Sequence, residues 1–173
     1  MARVPLHSES SQPDQIRLIE QIKRERGGRL LNLYRVLLSS PPVCEGWLKL
    51  FTAIRQQTAL DARYRELAIL RVAVINGAQY EYRAHVPLAL KAGLVQEQVD
   101  ALQTWAVSGA FDPRERAVLA YTDAMTRDIR VHERVFSLLK GFLDDREIVE
   151  LTATIAGYNL VSRFLEALEV DHE

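Results

Sequence analysis

The stretch from Asp61 to Gly93, DARYRELAILRVAVINGAQYEYRAHVPLALKAG, decides the reading of this chain. After one polar turn, Ala62 to Ile75 is nearly all apolar and lacks the polar outer face of a surface helix, so it reads as a helix buried on most sides. Asp61 supplies its N-cap. Asn76-Gly77 reads as a helix stop with a left-handed residue, and Gln79 to Ala92 forms a second helix carrying Tyr80, Glu81, Tyr82 and His85. Glu81 and His85 stand four apart, which sets a carboxylate and an imidazole on one helical face. A short hairpin-like connection folds Glu66, near the start of the first helix, back toward them, so three titratable groups are expected to share one pocket.

On the N-terminal side, Met1 to Gln12 is a polar, Ser-containing tail expected to fray, and Pro13 fits the first turn of a helix running toward Arg26 and ended by Gly27-Gly28. Leu30, Leu31, Leu33, Tyr34, Leu37 and Leu38 form the apolar stripe of a second helix, which Ser39-Ser40-Pro41-Pro42 stops. A third is expected over roughly Val43 to Gln57, with Trp47, Leu48, Leu50, Phe51 and Ile54 inward. On the C-terminal side, Leu94 to Val107 reads as an amphipathic helix with Val95, Val99, Leu102 and Trp105 on one side, broken by Ser108-Gly109. Asp112-Pro113-Arg-Glu115 combines an Asp cap, a first-position proline and a third-position Glu, and starts a helix reaching Met125. Val131 to Lys140 is a shorter helix. Asp144-Asp145-Arg-Glu147 repeats the capping chemistry and launches a last helix, Ile148 to about Leu168, interrupted at Gly157. The recurrence of Leu60-Asp-Ala-Arg63 at Leu143-Asp-Asp-Arg146 reads as repeated capping chemistry, since the match drifts after four positions. No strand-like alternation competes, so the chain is all-α.

Composition narrows the function. The 173 residues, 48% of them hydrophobic, suffice for one domain with a substantial core, expected over residues 13–173. Twenty-two Lys and Arg against 23 Asp and Glu leave a net charge of -1, and no basic run is dense enough to track a phosphate backbone, so nucleic acid is excluded as a partner. The first thirty residues contain no apolar signal core, and no apolar run reaches the ~20 residues that cross a bilayer, so a cytoplasmic protein with no membrane partner is expected. The single cysteine, Cys44, excludes an internal disulfide or dithiol couple.

The segment RELAILRVAVINGAQYEYRAHVPLALKAGL resembles the carboxymuconolactone decarboxylase family, whose relatives include alkylhydroperoxidase D. Weaker similarity extends through RERAVLAYTDAMTRDIRV to YNLVSRFLEALEV. The resemblance implies an alkylhydroperoxidase D-like helical fold built on a central antiparallel helix pair, a homotrimer or homohexamer, and a pocket holding a Glu, a Cys-x-x-Cys or its remnant, and a His. The family glutamate corresponds to Glu66 and the distal histidine to His85. The two cysteine positions fall on Ala78 and Glu81, and the histidine between them on Tyr80. A dithiol peroxidase needs sulfur at both places, and Cys44 matches neither.

What the resemblance then implies is the decarboxylase side of the family: acid-base chemistry on a small carboxylated lactone, without metal or organic cofactor, as a step in the degradation of aromatic compounds. The residues suit that chemistry. Burial raises a carboxyl pKa while a neighbouring imidazole stabilises the charge, so such a pair is tunable toward neutral pH. His85 is the expected proton carrier, Glu81 the partner setting its tautomer, Glu66 a second acid or orienting group, and Tyr80 a pocket wall that binds substrate. Arg71, one charge in an apolar helix, is expected to pair with an acid of another helix or subunit rather than with substrate. His7, His132 and His172 lack partners at telling spacings, and two carboxylates with one imidazole make only a weak metal signal. Two further readings stand beside the lyase: a hydroperoxide reductase relying on Cys44 and an external thiol, and a non-catalytic oligomeric scaffold. Without the resemblance, Glu81 and His85 read first as an ordinary helix-surface pair.

Overall fold

Asp61 caps the helix at the centre of the sequence by accepting the backbone N–H of Arg63 at 2.8 Å, and Gly77 ends it in the left-handed region at φ 68°, where a Cβ would be strained. The computed structural model in which this is seen describes residues 2–173 and, for Pro13, the backbone only; Met1 of the expected tail lies outside the described residues. The chain divides into two compact units, residues 1–57 with 165–173, and residues 58–164. No strand occurs among the described residues.

In the first unit a 3-10 turn, Pro13–Gln15, leads into α1, Ile16–Glu25, followed by α2, Asn32–Leu37, and α3, Pro41–Gln56. Their apolar stripes meet as Leu18, Ile19 and Ile22 of α1, Leu33, Tyr34, Val36 and Leu37 of α2, and Cys44, Trp47, Leu48, Phe51 and Ile54 of α3. The proline pair that stops α2 also starts α3, because Pro41 occupies a first-turn position whose N–H needs no partner. Leu50, expected inward, is exposed. The N-terminal stretch is tied down by backbone bonds: the Arg3 N–H donates to the Leu168 carbonyl at 2.9 Å and the His7 N–H to the Arg35 carbonyl at 3.1 Å.

The second unit is built on α4, Ala62–Asn76, and α5, Gln79–Lys91, the central pair, with α7, Pro113–Asp123, also packed on α4. From Glu66 through Ala73 every residue of α4 is buried. The segment expected as one helix over Leu94 to Val107 is instead a short α6, Gln96–Ala101, and a 3-10 turn, Leu102–Thr104, and Val95 is exposed. The Asp112 carboxylate accepts the N–H groups of Arg114 and Glu115, while Glu115 returns a bond to the Asp112 N–H at 2.9 Å, the reciprocal cap that the sequence implied. Beyond α7 the coil widens into a π-turn, Ala124–Asp128, and α8, Glu133–Leu139, follows. α9, Asp145–Ala167, runs through Gly157 without a break, most of it in this unit. The ~1 kcal/mol helix penalty of glycine is small beside burial of the flanking Ile155 and Tyr158.

Ion pairs join α4 to α7. Arg71 of α4 grips Asp123 of α7 through both oxygens, at 2.6 and 2.8 Å, and donates to the Leu102 carbonyl at 2.8 Å. Arg71 thus pairs with an acid of another helix, as its isolation in an apolar run suggested. Arg63 reaches Glu115 at 2.6 Å, and Gln98 donates to the same carboxylate at 2.9 Å.

Candidate active site

Glu66, Glu81 and His85 all lie in the second unit and all are buried, at 3, 2 and 5% exposure. Glu66 stands on the second turn of α4, where the buried run begins, and His85 on the second turn of α5. Antiparallel packing of the two helices brings them together: His85 Nδ1 lies 2.7 Å from Glu66 Oε2. The second Glu66 oxygen accepts from Arg65 Nε at 3.4 Å. With Nδ1–H donating to Glu66, the basic lone pair of the imidazole sits on Nε2. In that arrangement Glu66 orients the imidazole ring.

Glu81 turns to another element. Its Oε2 is hydrogen-bonded to the hydroxyl of Ser162 on α9, whose Oγ also lies 2.8 Å from the Tyr158 carbonyl one turn back. The Tyr158 ring meets His85 edge to face, with centroids 5.0 Å apart at 90°, so α9 touches both candidate side chains of α5. Tyr80, the expected substrate contact, is buried in the first turn of α5. Tyr158 and Ser162 were not singled out in the sequence. A serine within a helix carries no motif, and their only signal is the four-residue spacing that puts them on one face of α9.

Cys44 belongs to the first unit and is fully buried in α3. Burial, and secondarily the charge of Glu45, pushes its thiol up to about 12, which leaves no thiolate for attack on a peroxide at neutral pH.

Comparison with known proteins bears out the resemblance read from the central helices. Residues 41–124 match the model described as "Carboxymuconolactone decarboxylase family". An uncharacterized protein of Bacillus subtilis, YdfG, is 24% identical over 115 residues, covering 65% of this chain and 78% of its own. A crystal structure from Agrobacterium tumefaciens, described as a protein of unknown function and putative antioxidant defence protein AhpD, superposes with a TM-score of 0.73 at 25% identity, over 79% of this chain and 94% of that one. One from Ralstonia eutropha, described as an alkylhydroperoxidase AhpD core and an uncharacterized peroxidase-related protein, gives a TM-score of 0.84 at 19% identity, over 99% of this chain and 92% of that one. The fold is the all-helical, alkylhydroperoxidase D-like one that the central pair implied.

Proposed function

We propose that this chain, whose residues 41–124 match the carboxymuconolactone decarboxylase family, is a cofactor-independent carboxy-lyase acting on a small unsaturated lactone acid. The observation that carries the reading is the buried Glu66–His85 pair, 2.7 Å apart, with Glu81 one helical turn from the histidine. In such a reaction the bond to the carboxylate carbon breaks and CO₂ leaves without the bonding electrons, which spread over the lactone carbonyl as a dienolate. A proton must then be delivered to carbon. Glu66 orients the imidazole, whose Nε2 faces the reacting acid, and the α5 face bearing Glu81 and His85 supplies the proton; Tyr80 walls the substrate. General acid-base help of this kind contributes ~10²- to 10⁴-fold. The Cys44 thiol, protonated and buried, weighs against the hydroperoxide-reductase reading.

The reading includes a homotrimer or homohexamer, supported by the exposed apolar side chains Val107, Ile129, Val149 and Leu160 of the second unit. Light scattering that gives a monomer at micromolar concentration sinks that part. The lyase itself is tested by incubating the purified protein with a panel of carboxylated lactones and following CO₂ release. Release that disappears in His85→Ala is the expected result. A protein inert toward the panel that instead reduces an organic hydroperoxide, and loses this ability in Cys44→Ala, would overturn it.

A further inference from the structure

Counting protons around Ser162 places one more in this site. The Ser162 oxygen is in hydrogen-bond contact with two oxygens, Oε2 of Glu81 and, at 2.8 Å, the carbonyl of Tyr158. A serine hydroxyl has one proton and a carbonyl has none to give. If Ser162 donates to an ionised Glu81, its oxygen faces the Tyr158 carbonyl with no proton between them, an approach that is repulsive rather than bonding. If Glu81 carries a proton and donates it to Ser162, the hydroxyl is released to donate to Tyr158, and both contacts are satisfied. Burial acts in the same direction, because a carboxylate at 2% exposure has given up its hydration. At Glu66, His85 Nδ1 lies against one oxygen and Arg65 Nε–H donates to the other, surroundings that suit a carboxylate.

We infer that Glu81 is held as a neutral carboxylic acid in the resting protein and that Ser162 is its positioning residue. The two glutamates then divide the work as pairs in different environments do, Glu66 the fixed charge and Glu81 the acid. The consequence for catalysis rests on the lyase reading. As CO₂ departs, the O–H bond of Glu81 breaks and its proton forms the new C–H bond. Glu81 is left a carboxylate, and the Ser162 hydroxyl rotates from the Tyr158 carbonyl to donate to it. A proton from water restores the acid, so each turnover consumes one. The two acceptors around Ser162 are the two positions of that rotor.

The proton is visible without any substrate. Full-length protein labelled with ¹³C at its glutamate carboxyls should show, at neutral pH, the infrared C=O band of a protonated acid, shifted in D₂O; an ordinary glutamate ionises near ~4.3 and gives none. Glu81→Gln should remove the band, and Ser162→Ala should keep it but move it to higher frequency. For turnover, Ser162→Ala should lower kcat about tenfold with KM nearly unchanged, the worth of one hydrogen bond to a reacting group, and Ser162→Thr should restore part of it. Absence of the band from the wild-type protein, or its survival in Glu81→Gln, overturns the inference, and the wild-type spectrum decides even if a variant fails to fold. A band that vanishes with Glu81 in a protein that decarboxylates nothing upholds the placement of the proton and overturns the lyase.

Discussion

The second unit holds acid-containing pairs of two kinds. Arg71–Asp123 and Arg63–Glu115 join carboxylates to guanidinium groups, which keep their protons at all accessible pH values, so neither pair can pass a proton on. Glu66–His85 and Glu81–Ser162 join carboxyls to groups that can hold a proton on either side. All four lie between helices of one unit, and all satisfy groups that burial would otherwise leave costly. The difference lies in whether the acid faces a guanidinium, which never gives up its proton, or a group whose proton can turn toward it or away. The arginine pairs fasten α4 to α7, whereas the histidine and serine contacts join α4 to α5 and α5 to α9.

That distinction predicts which changes cost activity and which cost stability. The largest expected effect is on turnover: His85→Ala should lower kcat by ~10²- to 10⁴-fold, read by single-turnover product formation, with the unfolding midpoint followed in parallel. Arg71→Met should do the reverse. Loss of the bidentate bond to Asp123, which stays partly exposed and keeps its bond from Trp105, should cost ~1.5 to 3 kcal/mol in urea unfolding, while activity per folded molecule stays within about twofold. If Arg71→Met abolishes turnover in a folded protein, the division between fastening and reacting pairs fails. Combining Glu66→Gln with His85→Ala should lower kcat little more than the worse single change, since groups that act as a unit are non-additive. Free-energy losses that simply add would make the two residues independent.

The smallest effect belongs to Cys44, a buried reactive group in surroundings that give its thiol no means to ionise. Cys44→Ala should leave kcat unchanged. Its signature is alkaline. Between the ordinary thiol value of 9.0 and about 12, the native protein keeps a proton that the unfolded chain releases. Stability therefore falls as pH rises through that window, by up to ~1.4 kcal/mol per pH unit. Cys44→Ala should flatten that slope in guanidinium unfolding curves. A native thiol that is alkylated at neutral pH as fast as a free one would contradict its burial.

The helix pair was legible because both of its signals are local: an apolar run ending at Asn76-Gly77, and a four-residue spacing between Glu81 and His85. That Glu66 folds back toward His85 was legible from the short connection, but nothing in ARYREL marks it as the direct partner of the imidazole; the resemblance adds only that it is the family glutamate. Leu50 and Val95 were misplaced for a common reason. Each continues an apolar periodicity, and periodicity does not say where a stripe runs out of neighbours. Gly157 was read as an interruption from propensity alone, which tertiary packing overrides. Ser162 could not be read at all, because its role is defined by the acid it meets and not by its own neighbours in sequence.

The separations within the site also set an order of assembly. Glu66 and His85 are 19 residues apart and joined by one tight turn, so their meeting requires only the local hairpin of α4 and α5. Glu81 and Ser162 are 81 residues apart, and closing a chain of that length carries a larger entropic cost that only the docking of α9 repays. On a ribosome the imidazole and its carboxylate are made, and can pair, long before the serine has been synthesised. The nascent protein thus passes through a stage in which half of the proposed site exists and Glu81 still awaits its hydroxyl, so the completion of α9 determines when the two halves first coexist.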